Sequence, residues 1–339
     1  SENGYHIYNS YNGGNIRVEN WSDDTSSAYL KSTETVTLKT ATLQYMLYIG
    51  GIAFRNNNVV DVEPKNNVII SSSRKGAIHN CLNDGKISVD LSLYGCSRFG
   101  GITAINNGLI STSFNTGDIY NYTALYIDPN GNGDIGGNNF EVEAGGITCM
   151  IGSDTGQIMD CANYGEITCI SPTDRGNGWL NSGGIVGRNE KREDNLGNPE
   201  VNWSGKIQFC ANYGDIYAWN AFSENFGNFV NGTGSSNLIG AESSCKAAGI
   251  IAIGVLNVIN CVNYGNIYSR YLAGGIFGLV DGTKFRNINN NVYIANSINY
   301  GSICRISSFN SNKTFSIAEN LPSPRSININ NRNYYINPM

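Results

Sequence analysis

The chain has 339 residues, with 41 Gly, 20 Tyr and only 7 Pro, and 14% of it is charged against about 25% in an ordinary soluble domain. Its formal net charge is −5 and its 22 Lys and Arg are scattered without a basic stripe, so nothing points to nucleic acid. No stretch reaches the roughly 20 apolar residues that cross a bilayer, and the composition is one of strands and turns.

The N-terminal residues Ser1 to His6 are polar, and the expectation is that any export signal has been removed or was never part of this sequence. Residues 1–45 are read as lacking the repeated phrases described next. They are assigned as an N-terminal cap over the open edge of the first repeat.

From Gly50 onward two short phrases alternate. One is Gly-Gly-Ile, opening at Gly50, Gly100, Gly145, Gly183 and Gly274, and at Ala248 as Ala-Gly-Ile. The other is C-x-N-x-G-x-I, with six copies at Cys81–Ile87, Ser113–Ile119, Cys161–Ile167, Cys210–Ile216, Cys261–Ile267 and Ser297–Ile303. A repeat of this length signals a solenoid, in which each unit buries its apolar face against its neighbours.

Within the second phrase Cys, Asn, Gly and Ile share one parity, so an extended segment points all four to the same side, the interior. An aliphatic residue (Ile78, Ile110, Ile158, Ile207, Val258, Ile294) lies three positions before the Cys or Ser. That odd offset requires a bend between them. Each unit then holds at least three short strands, and the array is predicted to be a right-handed parallel β-helix, a triangular prism of parallel sheets with about six recognisable coils over residues 46–304. Right-handed crossovers are the general rule.

Asn83, Asn115, Asn163, Asn212, Asn263 and Asn299 stack into a predicted ladder that satisfies backbone groups at the bend. The invariant Gly implies a backbone shape or an approach too close for a side chain. Cys81, Cys161, Cys210 and Cys261 exchange with Ser113 and Ser297, so they read as small, reduced, buried residues. Cys96, Cys149, Cys169, Cys245 and Cys304 are left open. No CxxC-type pair supports zinc.

Spacing between the phrases varies from 13 residues (Gly100 to Ser113) to 31 (Gly50 to Cys81), and the surplus must leave the prism as loops. The expected insertions are 120–144, 188–204 and 217–247, rich in Gly, Asn and Ser. Residues 305–339, with Pro322, Pro324 and Pro338, are expected to cap or trail from the last coil.

The first insertion holds Asp128, Asn130, Asn132 and Asp134 around Gly133. Oxygen ligands at positions 1, 3, 5 and 7 with Gly at 6 follow a calcium loop. Position 12 is Asn139 rather than Glu, so Glu141 or Glu143 would have to supply the missing carboxylate; the alternative is a solvated Asn/Gly turn.

Tyr164, Tyr213, Tyr264 and Tyr300 share one position with outward parity. Such a row can stack on sugars, anchor a partner, or simply shield the turn backbone. Trp179, Trp203 and Trp219 flank or sit within insertions and are the further binding candidates. Asp84, Asp118, Glu166 and Asp215 invite comparison with polysaccharide lyases and hydrolases, yet Lys86, Asn266 and Ser302 fill equivalent places, which favours a solvated turn face. His6 and His79 are the only histidines, so Ser/His/Asp and Cys/His systems have little support.

The pairing of Gly-Gly-Ile-x-Gly, as in Gly183 to Gly187 and Gly274 to Gly278, with N-C-x-N-x-G-x-I resembles the GLUG repeat family over roughly residues 50–303. The resemblance implies a bacterial secreted or surface β-helix, adhesin-like or the non-catalytic part of a zinc protease that cleaves immunoglobulin A. It carries over no catalytic residue, because H-E-x-x-H is absent. The expectation is a structural and binding module whose loops contact a host protein or glycan. A carbohydrate-active β-helix enzyme and a spacer within a larger protease are the alternatives, and calcium is the one cofactor the sequence suggests.

Overall fold

A computed structural model describes residues 2–3, 6–19, 45–57, 59–65, 68–74, 76–92, 95–124, 141–152, 156–171, 179–189, 205–220, 245–254, 256–270, 272–279, 294–309, 315–321, 326–329 and 332–335. These residues form no helix. They make a right-handed parallel β-helix of about seven coils, in which each strand pairs in register with its equivalents one coil away.

A full coil has five faces rather than the three that the spacing suggests. In the third coil the first face is Gly95–Gly100, the second Thr103–Asn106, the third Leu109–Ser111, the fourth Phe114–Asn115 and the fifth Ile119–Ala124. The predicted bend between the aliphatic residue and the Cys lies between the third and fourth faces. One residue per coil there adopts left-handed backbone: Asn9, Asn80, Thr112, Asp160, Phe209, Asn260 and Asn296, with φ between 47° and 54°. Asn and Asp tolerate that conformation better than other side chains. Thr112 and Phe209 are the departures.

Residues 1–45 do not serve only as a cap. Glu2–Asn3, His6–Tyr8, Tyr11–Asn12 and Ile16–Glu19 pair parallel with the second coil and form a first coil. Ser10-Tyr11-Asn12-Gly13-Gly14-Asn15-Ile16 is thus a seventh copy of the second phrase. The long interval from Gly50 to Cys81 is a β-hairpin, Val59–Lys65 against Val68–Arg74. Strands extend into the expected insertions, leaving 125–140, 190–204 and 221–244 outside the described residues. At the far end Ile303–Phe309 pairs antiparallel with Phe315–Leu321, which covers the last edge of the fifth face.

Two apolar columns run along the axis. One contains Ile78, Cys81, Ile102, Ile110, Ile147 and Ile158, and the other Ile87, Val89, Phe99, Ile119, Val142 and Ile167. The chain crosses from one column to the other twice per coil, at the ladder Asn and at the second Gly of Gly-Gly-Ile. These two crossings touch. A Cβ on Gly101 would lie 2.3 Å from Cγ of Asn115, and one on Gly184 would lie 2.5 Å from Cγ of Asn212. That contact explains why the phrases alternate without a gap and why nothing replaces the second Gly. The first Gly also approaches backbone closely, a Cβ on Gly183 lying 1.8 Å from the Val186 carbonyl oxygen, and nothing in the structure explains why Ala248 is accepted there.

The Asn ladder runs the whole length. Nδ2 of Asn12, Asn83, Asn115, Asn163, Asn212 and Asn263 each donates to Oδ1 of the next Asn at 2.6–2.8 Å. From Asn83 to Asn299 each also donates to the carbonyl of the phrase's own Gly. That Gly is required by close approach: a Cβ on Gly165 would lie 2.1 Å from the carbonyl oxygen of Gly117 one coil away.

Small size is only half of what Cys and Ser share. Sγ of Cys161 and Cys210 donates to the carbonyls of Met159 and Gln208 at 3.1 and 3.2 Å, as Oγ of Ser113 donates to Ser111 at 2.8 Å. Both residues are small donors that close the left-handed corner. Eight cysteines are buried and free, among them Cys149, Cys169, Cys245 and Cys304; Cys96 lies where side chains are not described. Burial pushes the Cys245 thiol up to about 11.

Candidate binding face

The residues between ladder positions point outward and build one surface. Parity places the residue after Asn on the outside of the turn, and Tyr164, Tyr213, Tyr264 and Tyr300 are 44–64% exposed there. Their rings stack in sequence at centroid distances of 4.7, 4.9 and 5.2 Å, within 10° of parallel. The spacing follows from the interstrand distance of about 4.8 Å. The row does not extend to every coil. Thr116 and Asp84 occupy it in the third and second coils, joined by a 2.6 Å hydrogen bond from Thr116 Oγ1. In the first coil the place is Gly13, and the Tyr11 ring lies over it.

All eight large hydrophobic residues that are exposed among the described residues, Tyr8, Tyr11, Tyr164, Phe209, Tyr213, Tyr264, Ile298 and Tyr300, lie on this surface. Each falls between two residues before the phrase's Cys or Ser and three residues after it. The floor is the fourth face, where Ala162 and Ala211 are small and Phe209 projects from its left-handed corner, 52% exposed. Phe209 escaped sequence reasoning because nothing in its local sequence announces a left-handed conformation. Its place before a phrase Cys is the one signal that finds it.

The next outward row along the turn is polar. Asp118, Glu166 and Asp215 occupy consecutive coils. Asp118 Oδ1 accepts from the Glu166 backbone N–H, and Asp215 Oδ1 from that of Asn266. Asn15 and Asn266 do the same for Lys86 and Ser302, so the row is a second ladder that Asp and Asn serve equally. Burial raises Glu166 above the ordinary carboxylate value; Asp118 and Asp215 add to this, opposed by the Thr168 hydroxyl.

A different charged group fills the corner between the first and second faces. Arg98 Nε donates to Glu143 Oε2 at 3.1 Å, and a guanidinium nitrogen of Arg98 also bonds Glu141. Arg188 donates to Glu141 at 2.7 Å and to Glu143 at 3.3 Å, and Asn181 Nδ2 donates to Glu143. Glu143 is fully buried. Burial alone would raise Glu141, but Arg188 and Arg98 outweigh it and hold the carboxyl below its ordinary value. Both carboxylates are therefore committed to arginines rather than free to serve as the missing calcium ligands.

The tryptophans fare unequally. Trp219 is buried against Ile170 and Ile306, with Arg270 over its ring at 5.4 Å, so it offers no open stacking face. The backbone of Trp179 pairs with Glu141, but its side chain lies outside what is described. Trp203 and the loop of Asp128, Asn130, Asn132 and Asp134 lie outside the described residues altogether. Among those residues no group of three or more His, Cys, Asp or Glu is placed to hold a metal ion. Among the described residues no helix is long and apolar enough to cross a membrane.

No protein-family model, curated protein or solved structure matches the chain. Its fold class therefore rests on its own topology, and its function on its own surface.

Proposed function

We propose that this chain is a secreted or cell-surface structural and binding module, adhesin-like, that contacts a host protein or glycan from a β-helix scaffold. One observation carries the reading: among the described residues the exposed large hydrophobic ones share a single face, with Tyr164, Phe209, Tyr213, Tyr264, Ile298 and Tyr300 contiguous over the fourth to seventh coils. Monomeric soluble proteins rarely leave such a patch open unless it meets a partner. The interior supports this reading, because the phrase residues that recur in every coil are spent on ladders, corners and close approaches. The GLUG resemblance supports the extracellular, bacterial setting. An acid/base enzyme is less well supported, since Asp118 and Asp215 accept backbone N–H groups in a row where Asn15 and Asn266 do the same.

The test is a screen of glycans and extracellular host proteins against the native chain and a Tyr213→Ser/Tyr264→Ser variant. Thr116 and Asp84 hold the same row position in other coils, so the variant is expected to fold. A specific ligand should lose at least tenfold in affinity on the variant. Retention of full affinity would remove this face from the function.

A further inference from the structure

Resting on that binding-module reading, we infer that the aromatic face takes a cationic polypeptide segment. Its apolar side chains lie over the half-buried Ala211 between Phe209 and the tyrosine row, and its Lys or Arg side chains reach Asp118, Glu166 and Asp215. A sugar needs the flat face of an aromatic ring. Tyr213 and Tyr264 each have a ring stacked on both sides, so their faces are occupied and only edges and hydroxyls look outward. Edges and hydroxyls beside a shallow apolar floor suit a polypeptide, which brings side chains and backbone polar groups together.

The charge follows from the rim. Glu166 and Asp215 follow Tyr164 and Tyr213 by two residues within the same turn, so the carboxylate row runs alongside the tyrosines. Asp118 and Glu166 are exposed and Asp215 is half-buried, while Asp160 is exposed on the opposite side of the floor. Against these stand Lys86, exposed one coil before Asp118, and Lys206, half-buried on the third face. Over the third to fifth coils the rim is therefore acidic. Stacked carboxylates repel: burial is the main reason Glu166 is raised, and Asp118 and Asp215 add to it, so a bound cation relieves the repulsive part. The same charges disfavour a second copy of this chain, which carries a net −5, because pairing two such faces would bring the acidic rows together.

Phe209 adds an independent sign. Its left-handed corner is occupied by Asn9, Asn80, Asn260 and Asn296 in other coils, so an aromatic residue is held there against backbone preference, with its ring half exposed. Strained residues of this kind cluster at ligand clamps.

The experiment measures binding of three synthetic dodecapeptides to the full chain by fluorescence anisotropy: alternating Arg and Leu, Glu and Leu, and Arg and Ser. The Arg/Leu peptide should bind best, and its affinity should fall as salt is raised. An Asp118→Asn/Glu166→Gln/Asp215→Asn variant should lose at least tenfold and most of the salt dependence. Asn makes the same backbone bond at this row in the first and sixth coils, so folding is preserved. Phe209→Asn, with the residue four other coils use, should also lose at least fivefold while unfolding at a higher temperature.

Equal binding of all three peptides, no binding of Arg/Leu, or unchanged affinity after neutralisation overturns the cationic partner. If the ligand screen at the same time yields a neutral or glycan ligand that depends on Tyr213 and Tyr264, the binding face stands without it. If nothing depends on those tyrosines, both readings fall.

Discussion

Asn212 donates to the Gly214 carbonyl at 2.8 Å and to Asn263 Oδ1 at 2.7 Å, and it accepts from Asn163 Nδ2 at 2.8 Å. It is fully buried, so Asn212→Ala leaves partners unsatisfied in three places. Each unmet buried group costs about 1–3 kcal/mol. Even with relaxation, the variant should lose about 3 kcal/mol or more, read as a lower urea midpoint. A change near zero would show that the ladder does not hold the coil. At this scale the phrase was legible: parity alone assigned Asn, Gly and Ile to the interior and Tyr to the outside. The Cys/Ser exchange was half legible, because the carbonyl that both donate to is set by a corner the sequence does not spell out. The copy at Ser10–Ile16 is legible only without a preceding Gly-Gly-Ile, since the first coil has no described first-face strand.

Where strands meet, the clearest case is the charged corner. Arg98, Glu141, Glu143 and Arg188 lie in three successive coils, and no motif connects them. Only the register of the first and second faces brings them together, so sequence spacing could not find the cluster. For the same reason Glu141 and Glu143 look like spare carboxylates until the sheet is built. Removing one member of a buried ion cluster leaves charge uncompensated and typically costs 3–5 kcal/mol. Glu143→Gln keeps the shape, and it should destabilise the chain by about 3 kcal/mol.

The pH dependence has a definite sign. Glu141 has a folded value held below its ordinary 4.5. Its stabilising contribution is therefore complete above about 4.5 and is lost as pH falls below that, through the depressed value. Glu166, raised by burial, acts with the opposite sign as pH falls toward 4.5, so the Glu141 contribution is read below that value, where the urea midpoint of the native chain should drop and Glu141→Gln should blunt the drop. A Glu143→Gln variant as stable as the native chain would mean that the corner is packing rather than charge.

Over the whole molecule, stability is shared between neighbouring coils rather than concentrated in one core. The end coils show this: Ile7 and Ile294 are only partly buried, whereas the equivalent Ile78, Ile110, Ile158, Ile207 and Val258 are fully buried. A strand edge left open recruits other strands, and Phe315–Leu321 covers the last coil's fifth-face strand by pairing antiparallel, itself becoming the end strand of that sheet. A one-dimensional array makes a strong demand: a complete coil should be removable if the joint falls at equivalent positions. Phe209 and Asn260 are such positions, each in the left-handed corner before a phrase Cys. Deleting residues 210–260 joins Phe209 to Cys261 and leaves five-faced coils, a continuous Asn ladder and the closing strand. The product should keep a β-sheet circular dichroism spectrum and unfold cooperatively, at a lower urea midpoint because one coil-to-coil interface is gone. Deleting only residues 210–216 removes far less chain, yet it joins the third face directly to the fifth and breaks both ladders, so that product should not fold. If the short deletion were tolerated better than the long one, the coil would not be the unit from which this protein is built.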